Sequence, residues 1–142
     1  MSSKTLKWWH TEHDADIGLS ALAPTRGQLF EAFAQALTAV ITDPAAVNCD
    51  DSIRIHCEAP DDAMLLVDWL NALVYEMATR QMVFGEWRVT LSGMKLEALV
   101  VGEKLDRIRH EPAVEVKGAT LTELAVAEDD RGEWSGHCVV DV

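Results

Sequence analysis

Basic residues are scarce in this chain: 12 lysines and arginines stand against 24 aspartates and glutamates, a formal net charge of −12 over 142 residues. So acidic a surface repels phosphate backbones, which argues against direct nucleic-acid binding and leaves a basic partner face, metal cations or plain solubility. Cysteine is limited to Cys49, Cys57 and Cys138, odd in number and without a C-x-x-C pair. That pattern excludes a disulfide framework and a structural zinc site, and points to three reduced, mostly buried thiols. No apolar run reaches the roughly 18 residues that a bilayer-spanning helix needs. The N-terminal "MSSKTLKWWHTEH" has no apolar signal core, so a cytoplasmic protein with no membrane contact is expected. Repeats, low-complexity tracts and Pro/Gly-rich linkers are missing too, and one domain over residues 1–142 is the economical reading. P-loop, G-x-S-x-G and G-x-G-x-x-G motifs are likewise missing, which removes the usual footholds for nucleotide hydrolysis, acyl transfer and dinucleotide binding.

What is present is a packed fold, with 49% hydrophobic residues. "IGLSALA" (17–23) alternates as a strand does. Thr25 then offers an N-cap with Gln28 three residues on. Leu29, Phe33, Leu37, Val40 and Ile41 recur at helical spacing, predicting a helix over about 26–42 that Pro44 and Asn48 end. "SIRIHC" places Ile53, Ile55 and Cys57 on one face of a strand and Arg54 and His56 on the other. Asp61 can cap a second helix with a broad apolar stripe through Leu66, Trp69, Leu70, Leu73, Val74 and Met77; Asp68 and Asn71, one helical turn apart beside that stripe, read as capping a neighbouring loop or as facing a partner, the structural role foremost. From residue 84 the period switches to two, in strands around Trp87–Leu91 and Leu96–Val100 with a turn at Ser92-Gly93. "DRIRHEPAVEVKGAT" reads as a loop, and "LTELAVA" with "WSGHCVVDV" as a C-terminal hairpin. The sum is an α+β chain: two amphipathic helices packed on a mixed, mostly antiparallel β-sheet.

Ionisable residues concentrate at both ends. "HTEHDADIG" (10–18) holds two histidines and three acids in its first seven residues, and Asp14 and Asp16 are both candidate ligands. His13 reads either as a ring that orients Asp16 or as a packed ring at a strand edge. In the last strand Ser135, His137, Val139 and Asp141 share one face. Asp141 and the α-carboxylate of Val142 set two anionic groups side by side, a cost that a hard divalent cation would relieve; a solvated strand cap is the other reading. Lys117 reads as a solvated loop lysine or as a point charge for a phosphate or carboxylate. Trp8 and Trp9 are adjacent, so on a strand they point to opposite faces. His10, His56 and His137 carry no signal of their own.

Four segments together resemble one family. His13-Asp14-Ala15-Asp16-Ile17-Gly18 is similar to the "HTADIG" start of the archeases, with Asp14 where threonine is usual. "LLVDWLNALVYE" (65–76) resembles their "LLVDWLNELL" helix. "RHEPAVEVKGAT" (109–120) resembles their H-x-P-x-x-E-V-K-x-x-T stretch, and "VVDV" their V-x-D-[VI] ending. The matches keep the family's order and span nearly the whole chain.

The resemblance implies a non-enzymatic activator of the GTP-dependent RNA-splicing ligase, which joins 2′,3′-cyclic-phosphate or 3′-phosphate ends to 5′-hydroxyl ends in tRNA splicing and RNA repair. It implies faster guanylylation of that ligase and multiple turnover. It also implies a divalent-cation site, with calcium foremost and magnesium or manganese as alternatives, at Asp16, Asp141 and Val142. Lys117 would be the activating lysine, with His13 and Asp14 as further partner or activation residues. The rival is an enzyme: "H-x-x-H-D" looks like the start of an HD-type metal-dependent phosphohydrolase. That fold is all-helical, whereas the chain after residue 83 reads as β.

Overall fold

The computed structural model describes residues 6–13 and 15–142, with His13 given by its backbone alone, so Asp14 and the His13 side chain lie outside the described residues. The chain opens with two strands, β1 (Lys7–His13) and β2 (Asp16–Ala23), followed by helix α1 (Arg26–Ile41). A 3₁₀ turn at Pro44–Ala46 leads to β3 (Asp51–Glu58) and helix α2 (Asp62–Arg80). The hairpin β4 (Met82–Ser92) and β5 (Lys95–Lys104) comes next, then a helical turn α3 (Arg107–His110). The chain closes with β6 (Gly118–Ala119), β7 (Ala125–Glu128) and β8 (Trp134–Asp141).

The helix boundaries follow from local chemistry. The Thr25 hydroxyl oxygen accepts the Gln28 N–H at 3.2 Å, satisfying one of the first-turn amides that lack an intrahelical partner. Asp61 caps α2 in the same way, accepting from Met64 N–H at 2.8 Å. At the far end of α2, Gln81 takes a left-handed conformation (φ 54°) and turns the chain straight into β4.

The α+β class expected from the pattern is what the fold shows, with the strands divided between two sheets. A five-stranded sheet runs β1-β2-β8, with β6 and β7 both pairing β8; the other is β3-β5-β4. Every pairing among the described residues is antiparallel, so the parallel component of the expected mixed sheet is not found. Helix α1 packs against both β2 and β4, and α2 against both β3 and β6, so the helices share one core with the two sheets. Phe30, Phe33, Leu66, Trp69, Leu70 and Phe84 are fully buried in it. The indole N–H of Trp69 donates to the Phe30 carbonyl at 2.9 Å, joining the two helices inside the apolar layer.

The stretch 106–120, expected to be a loop, contains α3 and β6. Both are too short to show periodicity. Asp106 makes the helical turn by accepting from the N–H groups of Ile108 and Arg109. The buried His110 ring locks it, because Nδ1 accepts the Asp106 N–H at 2.8 Å. The all-helical fold that an HD-type phosphohydrolase requires is ruled out by this architecture.

Candidate functional site

β2 and β8 lie side by side with Ile17 opposite Val140, Gly18 opposite Val139 and Ser20 opposite His137. One more step along that register sets Asp16, the first residue of β2, opposite Asp141, the last of β8. Ile17, Leu19, Cys138 and Val140 face the core. Side chains alternate along a strand, so Asp16 and Asp141 share the outer face. The neighbouring strands extend the row. The backbone of His13 is opposite Asp16, and Gly118 is opposite Asp141. Just beyond Gly118, the Lys117 N–H donates to the Asp141 carbonyl at 2.8 Å. Residues from the beginning, the last third and the end of the chain thus meet at one end of one sheet.

The side chains in this row are held differently. Asp16 is half-buried, while Asp141 and Lys117 are exposed. Neither carboxylate nor the lysine has a hydrogen-bond or ion-pair partner among the described residues. Directly opposed like charges cost a sheet stability, so the pair is left for something else to neutralise. Val142 follows Asp141 half-buried, its side chain packed against the core. Among the described residues, no three His, Cys, Asp or Glu side chains are close enough to hold a metal on their own. The donors available are therefore two carboxylates plus main-chain oxygen. An all-oxygen set of that kind suits a hard divalent cation and disfavours zinc or copper.

Asn71, singled out beside the apolar stripe of α2, turns its amide oxygen to β6 and accepts the Ala119 N–H at 2.8 Å. Asp68 is exposed on the same helix. Trp8 turns inward, donating its indole N–H to Gln35 Oε1 at 3.2 Å, while Trp9 is 44% exposed.

Two clusters escaped the sequence reading. On the outer face, His137 Nδ1 lies 2.8 Å from Ser20 Oγ, and its Nε2 lies 3.7 Å from Glu123. The shared face of Ser135, His137, Val139 and Asp141 was visible in the alternation, but the partners across the sheet and from the 119–124 connection were not. The other cluster is Glu103, Arg109 and His110. The sequence carried no signal for it: Glu103 falls out of step with the alternating core positions Leu96, Ala98 and Val100 of β5, and α3 is too short to show a period. The Arg109 guanidinium, the Asn48 N–H at 2.6 Å and the His110 ring at 3.0 Å all bind the Glu103 carboxylate. The arginine bond foremost, then the Asn48 amide, pull the carboxyl down to about 2. Because His110 Nδ1 accepts a backbone N–H, the proton sits on Nε2 and points at Glu103. This buried network holds α3 against the end of β5.

A family model described as "Archease protein family (MTH1598/TM1083)" matches residues 8–142. A protein archease of Pyrococcus abyssi is 34% identical over 140 residues, covering 96% of this chain and 99% of its own. One of Methanosarcina barkeri is 33% identical over 147 residues and covers both chains completely. The solution structure of Methanobacterium thermoautotrophicum protein 1598 superposes with a TM-score of 0.77 at 24% identity, covering 95% of this chain and 98% of that one.

Proposed function

The chain belongs to the archease family, and on that premise we propose that it activates a GTP-dependent 3′-phosphate RNA ligase by acting on the ligase protein. The observation that supports this reading is the convergence of Asp16, Asp141 and Lys117 on one sheet end, since these are the residues that the resemblance implies for the cation and the activating lysine. In this reading Asp16, Asp141 and the main-chain oxygens of Val142 hold a divalent cation, calcium before magnesium or manganese. When bound, the cation supplies positive charge that cancels the carboxylate repulsion and orders the end of β8. Lys117, whose backbone is bonded to Asp141, has no ion-pair partner among the described residues and is suited to a phosphate or carboxylate of the ligase–nucleotide complex. The chain's net charge of −12 favours a basic ligase surface over direct contact with RNA. No helix among the described residues is long and apolar enough to cross a membrane, and we place the activity in the cytoplasm with the ligase.

The test is a ligation assay with the cognate ligase in substoichiometric amount relative to RNA. Adding the protein is expected to raise both the guanylylation rate and the number of turnovers. Asp16→Ala, Lys117→Ala and Asp141→Ala are each expected to abolish that gain while the circular dichroism spectrum stays native. A ligase equally active with and without the protein refutes the function.

A further inference from the structure

The Lys117 backbone sits on a segment with very little sheet of its own. β6 is two residues long, with Gly118 opposite Asp141 and Ala119 opposite Val140. The Lys117 N–H and the Thr120 N–H donate to the Asp141 and Val139 carbonyls, at 2.8 and 2.9 Å, and fasten the segment to β8 on one side. On the other side no strand follows among the described residues, and an edge amide there would face outward without a partner.

Asn71 fills that place. Its Oδ1 accepts the Ala119 N–H at 2.8 Å, doing for β6 what the next strand's carbonyl would have done. Glycine at 118 leaves room for this approach: a Cβ there would crowd the same oxygen at 3.0 Å. The other end of the bond is fixed as well, since Trp69, Leu70 and Leu73 on either side of Asn71 are buried in the core and α2 cannot shift. Residues 117–120 are therefore clamped between β8 and one side-chain oxygen.

We propose that Asn71 is a positioning residue: by holding the Ala119 amide it fixes where the Lys117 ammonium stands relative to Asp16 and Asp141. The proposal rests on the activator reading above. Asn71 itself reaches neither the carboxylate pair nor the lysine; it acts through the backbone of β6.

Three substitutions separate this role from plain stabilisation. Asn71→Leu removes the acceptor, Asn71→Ser is too short to reach, and Asn71→Asp keeps an oxygen in place. Leu and Ser are expected to speed hydrogen exchange of the Ala119 amide about tenfold, as loss of one hydrogen bond would. They should also cut ligase stimulation by about tenfold while calcium affinity, read by calorimetric titration, falls by no more than about twofold. Asn71→Asp is expected to keep both amide protection and stimulation within about twofold. Full stimulation by the Leu or Ser protein despite a released Ala119 amide overturns the proposal, as does an Asp protein that keeps the amide protected yet fails to stimulate. A wild-type arm and a Lys117→Ala arm tell the failures apart: a ligase that the wild-type protein does not stimulate sinks the activator reading, whereas normal stimulation by Lys117→Ala leaves that reading standing and overturns the positioning role.

Discussion

Asp141→Asn should make the protein more stable without divalent cations and less stable with them, a reversal that no purely structural role for this residue produces. Directly opposed residues in an antiparallel pair have Cβ atoms about 5 Å apart. Two unit charges at about that distance repel by roughly 1 kcal/mol in water and by roughly 3 kcal/mol near a protein surface. Asp141 is exposed and Asp16 only half-buried, so the low end applies, about 0.5–1 kcal/mol, in line with measured cross-strand charge pairs. Neutralising Asp141 recovers that energy, which for a chain of this length raises Tm by about 1–4 °C in EDTA at low salt. At about 1 M salt the gain should shrink, because screening then acts within about 3 Å.

Calcium reverses the order. A ligand at one hundred times its Kd stabilises the folded state by about 2.7 kcal/mol, so the wild-type melting point should rise by about 5–10 °C. The Asn protein, lacking one of the carboxylates, should show little of that rise. Differential scanning calorimetry of both proteins, in EDTA and in calcium, gives the four numbers needed. An Asn protein that melts below wild type in EDTA refutes the repulsion argument; one that gains as much from calcium as wild type refutes the site.

Three further outcomes follow from other parts of the molecule. The Glu103 carboxyl sits at about 2, against an ordinary 4.5. Its folded-state value is depressed, so its contribution to stability is complete above pH 4.5 and drains away as pH falls toward 2. Urea midpoints measured across that window should fall less steeply for Glu103→Gln than for wild type; parallel profiles would refute the role of the network. Burial foremost pushes the thiols of Cys57 and Cys138 up to about 11, while Cys49 is exposed, so a thiol reagent at pH 8 should label one cysteine quickly and the other two only on unfolding. Gly102→Ala would place a Cβ 2.0 Å from the Val83 carbonyl oxygen and 2.7 Å from Phe84 Cα. These are main-chain atoms that no rotamer change can move, so a loss of about 3 kcal/mol or more in chemical denaturation is expected; a loss below 1 kcal/mol would mean that the β4–β5 register yields.

Much of the architecture was readable because its signals are local. Thr25 and Asp61 announced the helix starts, and both cap as expected. Ile53, Ile55 and Cys57 declared the buried face of β3 by alternation alone. The division into two sheets was not readable. Strand pairing joins Ile17 to Val140, and nothing near either residue names its partner. The same limit governed the site. Asp16 and Asp141 could be suspected separately as acids at strand ends, but their opposition depends on a register set more than a hundred residues away. Asn71 read as a cap for a neighbouring loop or as a partner contact, and it does cap one; which amide it holds was not readable, because a backbone amide leaves no mark in side-chain chemistry. His110 was hidden for a related reason: its burial depends on Glu103 and on the Asp106 N–H, and a four-residue helical turn has no period to read.

The way the site is assembled bears on how it would act. β8 pairs β2 along one edge and β6 and β7 along the other, so the row from Asp16 to Gly118 exists only when β8 is docked along its full length. Strand ends are where a sheet first frays, and the opposed carboxylates at this end favour fraying. A cation held there would close the end of the sheet, and the same closure fixes the Asp141 carbonyl that accepts the Lys117 N–H. Cation occupancy and lysine placement are then two readings of one local equilibrium. That coupling predicts that calcium should slow hydrogen exchange at the Lys117 amide as well as at the end of β8, even though the lysine side chain contributes no ligand. Protection confined to β8 would mean that the two halves of the site act independently.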